Sequence, residues 1–137
     1  MKLRITALIL VLVLSLSLFA GCGANTEKPN GDNSSKINAT IILVLEDGSE
    51  KTYEINVTKD SNLRDALYEA KLITEETYSA LFVDNIDGNI ADTLNDGCMW
   101  MPTDTDGNQI MGMFDDIIVK DGQTIKLVYT VAPTFDD

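Results

Sequence analysis

The sequence predicts one small α+β domain in which a β-hairpin comes first, a helix follows and further strands close the fold. Three patterns predict it. Apolar residues alternate on both sides of Asp47-Gly48, recur at helical spacing from Leu63 to Ala70, and alternate again from Ile125 to Val131. A side-chain period of two belongs to a strand and one of about 3.6 to a helix, so a chain that switches between them switches structure with them.

In the first strand, Ala39, Ile41, Leu43 and Leu45 share one face and Ile42 and Val44 the other, which predicts a strand covered on both sides. Asp47-Gly48 supplies the tight turn, and Tyr53, Ile55 and Val57 alternate with polar neighbours as the second arm. Asp60 or Ser61 is placed to cap the helix that carries Leu63, Ala66, Leu67 and Ala70. Its apolar stripe is expected to lie on the sheet. A second, short helix is expected from Thr74, with Glu75 and Glu76 where the helix dipole favours carboxylates. Extended structure then resumes at Leu81-Phe82-Val83, and the last strand follows Asp121-Gly122 with Ile125, Leu127, Tyr129 and Val131 on one face.

Ahead of this domain, Lys2 and Arg4 precede an uncharged apolar run from Ile5 to Phe19, and the small residues Ala20 and Gly21 follow. That is the plan of an export leader, and the run is shorter than the roughly 20 residues of a permanent span. The stretch Phe19-Ala20-Gly21-Cys22 resembles the bacterial lipobox, which implies cleavage after residue 21 and acylation of Cys22. Two acyl chains on one cysteine make a stable anchor, so the mature protein is expected on the outer face of the cell membrane. Residues 23–36 are nearly free of apolar side chains and rich in turn formers; with Cys22 they read as a flexible tether, with a reach of about 20 Å. The folded domain is then expected over 37–132, with a short acidic tail over 133–137.

The net charge is −12 with Lys2 and Arg4 included, so loss of the leader makes the chain more acidic still. Such a surface repels phosphate backbones and anionic headgroups, which excludes nucleic acid as a partner. Acylation of Cys22 leaves Cys98 as the one free thiol, and no internal disulfide can form.

No histidine is present, so Ser-His-Asp and Cys-His catalysis and imidazole zinc sites are excluded, and no catalytic residue is assigned. Asp115-Asp116 is a carboxylate pair, but neighbours on a strand face opposite ways and do not share a proton. Asp-Gly recurs at irregular intervals that fit no calcium repeat; turn chemistry explains it. Asp104, Asp106 and Asn108 leave a weak cation loop as an alternative to a plain turn.

The most unusual composition is Cys98-Met99-Trp100-Met101 followed by Met111-Gly112-Met113. A Met-x-Met pair on a strand projects both sulfurs to one face, about 7 Å apart at their bases, and thioethers suit Cu(I). Cys98 and Trp100 then face the other way. The alternative is an adaptable apolar lip for a flat ligand or a protein partner. Met99, Trp100, Met101, Met111 and Met113 are the candidate ligand-binding residues; no metal ligand or cofactor is assigned.

Asp65 to Ile73, Phe82-Val83, Ile86-Asp87-Gly88, Asp96-Gly97, Trp100, Asp106-Gly107, the run Val119 to Thr124 and Val128-Tyr129-Thr130 stand in an order that resembles one family. It is an uncharacterised domain of Gram-positive surface proteins, similar to the C-terminal β-domain of transcobalamin and intrinsic factor. The resemblance spans about Thr40 to Val131 and implies a β-grasp-like, ubiquitin-like mixed sheet crossed by one helix. It also implies a binding role without chemistry, with a cobalamin-like corrinoid among the cargoes. After the tryptophan the chain departs from the family, and Pro102 is expected to loosen the strand there. The expected function is thus a membrane-tethered binding lipoprotein that takes a small ligand and works beside a transporter. Alternatives are an envelope protein-interaction module and Cu(I) handling.

Overall fold

The computed structural model describes residues 35–132. The leader, Cys22, the tether up to residue 34 and the tail from residue 133 lie outside the described residues.

β1 (Lys36–Val44) and β2 (Glu50–Thr58) pair antiparallel over their whole length, from Lys36 opposite Thr58 to Val44 opposite Glu50. The hairpin closes where expected. Gly48 takes φ 82°, which an L side chain resists, and the Asp47 carboxylate accepts the Ser49 N–H at 2.9 Å. That hydrogen bonding to Ser49 holds the Asp47 carboxyl below its ordinary value.

After β2 the chain enters α1 (Leu63–Glu69), but the cap is Asn62 rather than Asp60 or Ser61. Asp60 takes φ 64° and turns the chain off the sheet, which carries the start just past both predicted caps. The Asn62 side chain then accepts the Asp65 N–H at 2.8 Å. α1 buries Leu63, Ala66 and Leu67 completely, so the predicted stripe is its packed face. It ends at Lys71, whose φ of 60° lets Leu72 N–H reach Leu67 O at 2.9 Å. α2 (Glu75–Ser79) starts at its predicted cap, Thr74.

No strand forms at Leu81–Val83. The Arg64 guanidinium takes the carbonyls of Tyr78 (3.0 Å), Ala80 (2.8 Å) and Leu81 (3.3 Å), which removes acceptors that strand pairing would use. Pairing begins later, as β3 (Asn85–Ile86) and β4 (Asn89–Ile90) fold over Asp87-Gly88, both at positive φ.

β5 (Cys98–Thr103) and β6 (Thr124–Val131) complete the main sheet in the order β2-β1-β6-β5. β1 and β6 are parallel in its middle, and the outer pairs are antiparallel. First and last strands side by side, their antiparallel partners outward and a helix after the opening hairpin make this a β-grasp-like α+β domain. The expected fold is the observed one. Ile37, Ala39, Ile41 and Leu43 of β1 and Ile125 and Leu127 of β6 face the core with α1, whereas Ile42 and Val44 on the outer face are only half-buried.

Pro102 does not loosen β5, which continues to Thr103. The strand lies at the sheet's edge, and the side on which proline lacks its N–H is the side without a ladder. Among the described residues no helix is long and apolar enough to cross a membrane.

Candidate functional site: a cavity at the free edge of β5

The backbone of β5 decides what the site presents. Ala132 N–H donates to Gly97 O at 2.7 Å, across to β6, while Cys98 N–H donates to Asp92 O at 3.3 Å on the opposite side. Main-chain groups alternate along a strand, so Met99, Met101 and Thr103 bond to β6 and Cys98, Trp100 and Pro102 turn theirs to the free edge. Pro102 O accordingly accepts Ile110 N–H at 2.9 Å, outside the sheet.

Beside this edge lies a cavity of about 230 Å³. Four consecutive residues, Met99 to Pro102, line it. Their side chains point alternately to the two faces, so the cavity must border the strand's edge rather than either face. Phe82, Val83, Phe114 and Met113 supply the apolar walls. Leu81 (72 % exposed) and Met113 (53 % exposed) stand at the mouth.

Trp100 is 4 % exposed, so its ring belongs to the core and only part of it reaches the cavity. Its indole N–H donates to Asp84 O at 3.0 Å, which satisfies the one polar atom that burial would strand. Tyr129, opposite it on β6, meets it edge to face with ring centroids 5.8 Å apart. Cys98 lies buried on the core face, away from the Met99 and Met101 side chains. The Cys98 thiol beside it first, and burial second, push the Tyr129 phenol up to about 12.

Arg64 underlies the cavity from α1. It is 8 % exposed, and besides its three carbonyls it bonds the Asp115 carboxylate at 2.9 Å. Its charge is fully engaged, so the cavity offers apolar surface and main-chain groups without a free ion. Asp116 instead accepts Met113 N–H at 3.1 Å, so the two adjacent carboxylates serve different partners and form no acid-base dyad.

Of the predicted site residues, Met99, Trp100, Met101 and Met113 come together around the cavity. Met111 does not line it; it is 80 % exposed. The segment Met111–Met113 is a loop, not a strand, because Gly112 takes φ 111°. Sequence reasoning missed Arg64, which lies far from Trp100 along the chain, and Phe114, which follows Met113 but carries no motif. The Asp104 carboxylate accepts the N–H groups of Asp106 and Asn108, both at 2.9 Å, and the Asn108 amide at 3.1 Å. These bonds close its own turn and hold its carboxyl below the ordinary value, Asn108 contributing most. Among the described residues no group of three or more His, Cys, Asp or Glu side chains could hold a metal ion.

Fold and cavity together define the class: a small β-grasp-like domain with an apolar cleft at the edge of its sheet. Among solved structures it is similar to a protein of Ruminococcus gnavus ATCC 29149 provisionally described as metal binding, with TM-score 0.58 and 23 % identity over 71 % of this chain and 99 % of that one. It is also similar to haptocorrin in complex with Cbi, with TM-score 0.55 and 15 % identity over 76 % of this chain. The match covers 27 % of haptocorrin, so the likeness is to one part of that protein. At these identities it is a likeness of fold. Both neighbours are described by what they bind rather than by a reaction. No family model matches the chain. No curated protein matches it either.

Proposed function

We propose that the chain is a membrane-tethered, extracytoplasmic binding lipoprotein without catalytic activity, which captures a small ligand such as a corrinoid in the cavity beside β5. The observation that carries the reading is that cavity: apolar walls, a tryptophan in its floor and no free charge, in a domain that shares its fold with part of haptocorrin. About 230 Å³ is below the usual volume of a whole-ligand site, so a corrinoid enters by one edge or side group and the rest lies over the rim at Leu81 and Met113. The leader and the lipobox at Cys22 support the location, where captured cargo passes to a transporter. Calorimetry of the mature protein against cobalamin and cobinamide tests this. Saturable heat that Trp100→Ala abolishes is expected; no heat and no thermal shift at high ligand concentration retires the reading.

A second reading is Cu(I) handling, favoured by the three thioethers of Met99, Met101 and Met113 along one cavity and by the description of the R. gnavus neighbour. Replacing Met99 and Met101 together by serine must then abolish competition with a Cu(I) chelator, and unchanged competition eliminates it.

A further inference from the structure

Natural sheets blunt their edges, since a row of unpaired N–H and C=O groups invites another strand. β5 is blunted only at its ends. Asp92 O covers Cys98 N–H and Ile110 N–H covers Pro102 O. Between those contacts, Cys98 O, Trp100 N–H and Trp100 O face outward, and among the described residues none of the three has a hydrogen-bond partner. The open groups span about 7 Å, from Cys98 to Trp100, which suits three or so residues of extended chain. The cavity borders the edge from Met99 to Pro102, so a backbone entering at Trp100 would meet both hydrogen-bonding groups and apolar walls.

We propose that the open stretch of β5 at Trp100 docks an extended peptide segment of a partner protein, apolar at its centre and basic at its flanks, which adds to the sheet as a short further strand. Running antiparallel, it sets one residue opposite Trp100, giving its N–H to Trp100 O and taking Trp100 N–H on its own carbonyl. The side chain of that residue turns to the same face as the indole. Charge selects the flanks. Asp84 and Asp92 adjoin lining residues in the sequence, while Arg64, a cation of the lining, is consumed by Asp115 and three carbonyls. A basic flank meets uncompensated carboxylates and an acidic one is repelled. This goes beyond capture of a small cargo, which needs the apolar walls but not the ladder.

The test is a titration of the isotope-labelled full-length protein in detergent micelles with acetyl-Lys-Val-Leu-Val-Lys-amide. The Trp100 amide proton is expected to move downfield and to exchange more slowly on saturation. N-methylation of the central leucine removes the donor to Trp100 O and should weaken binding by about tenfold or more. Glutamate in place of both lysines should weaken it similarly, and Asp84→Asn should narrow the gap between the lysine and glutamate peptides without changing the N-methyl effect. No binding, a stationary Trp100 amide, or equal affinity for the N-methylated peptide overturns the proposal. Titration with cobinamide on the same sample reports cargo capture separately.

Discussion

Arg64 shows how one side chain shapes the cavity wall from a distance. It reaches from α1 to three carbonyls of residues 78–81 and to Asp115, tying two segments of the wall to the helix. Arg64→Met fills much of the volume but leaves three carbonyls and a carboxylate without their donor. A loss of about 3 kcal/mol in denaturant unfolding is expected, with the Leu81 and Phe114 segments loosened first in hydrogen exchange; a loss below about 1 kcal/mol would mean that water replaces the guanidinium. Trp100→Phe keeps an aromatic core residue but removes the donor to Asp84 O and part of the ring's volume, and should cost about 1–3 kcal/mol. The tyrosines give a pH signature. Burial first and the Asp87 carboxylate second push Tyr53 up to about 12, and Tyr129 stands at about 12 against the ordinary 10.0. The folded state therefore holds these protons more tightly than the unfolded chain. The stability this contributes is complete below pH 10 and drains away as pH rises from about 10 to about 12. Tyrosinate absorbance should develop later in the native protein than in denaturant, and coincident curves would refute it.

Among the elements, those with a local period were readable and those set by distant partners were not. β1, β2, α1 and β6 follow alternation or helical spacing that a dozen residues suffice to show, and their positions match the expected ones closely. The start of α1 did not, because Asn62 becomes its cap only once Asp60 has turned the chain at positive φ. Leu81–Val83 has strand composition, yet Arg64 claims its neighbouring carbonyls from a position 17 residues away from Leu81. The cavity divides in the same way. Met99, Trp100 and Met101 are consecutive and visible as a cluster; Arg64 and Asp115, 51 residues apart, meet only in three dimensions. Lys71 gives a prediction at this scale. It ends α1 at φ 60°, a conformation that a Cβ disfavours by about 1 kcal/mol, and its N–H bonds Tyr68 O at 2.9 Å. Lys71→Gly should keep that bond, relieve the strain and raise stability by up to about 1 kcal/mol in urea unfolding. A loss of similar size would mean that the lysine side chain contributes a contact that outweighs its backbone.

At the scale of the whole molecule, charge and the proposed anchoring pull in opposite directions. The folded domain carries most of an acidic total of −12 and is repelled by anionic headgroups, so its own surface gives it no reason to stay at a membrane. If it works there, the attachment must be covalent and the spacer long enough to hold the domain off. Cys22 and the polar stretch behind it have the chemistry for both. In the proposed arrangement two acyl chains on Cys22 would hold a bilayer far more strongly than one, and a spacer with a reach of about 20 Å would exceed the screening length of about 8 Å at physiological salt, so the repulsion would be mostly spent before it reached the domain. Retention should therefore depend on the thiol and hardly at all on ionic strength. Cell fractionation distinguishes the two: high-salt washing is expected to leave the native protein with the membranes, whereas Cys22→Ala should lose the lipid-modified form and behave as an unprocessed precursor or as released protein. Mass spectrometry of the native N-terminal peptide should show diacylation on a cysteine with residues 1–21 removed. If the native protein instead washes off with salt, or its first residue carries no lipid, the anchor is wrong and the β5 cavity must be studied as that of a freely diffusing domain.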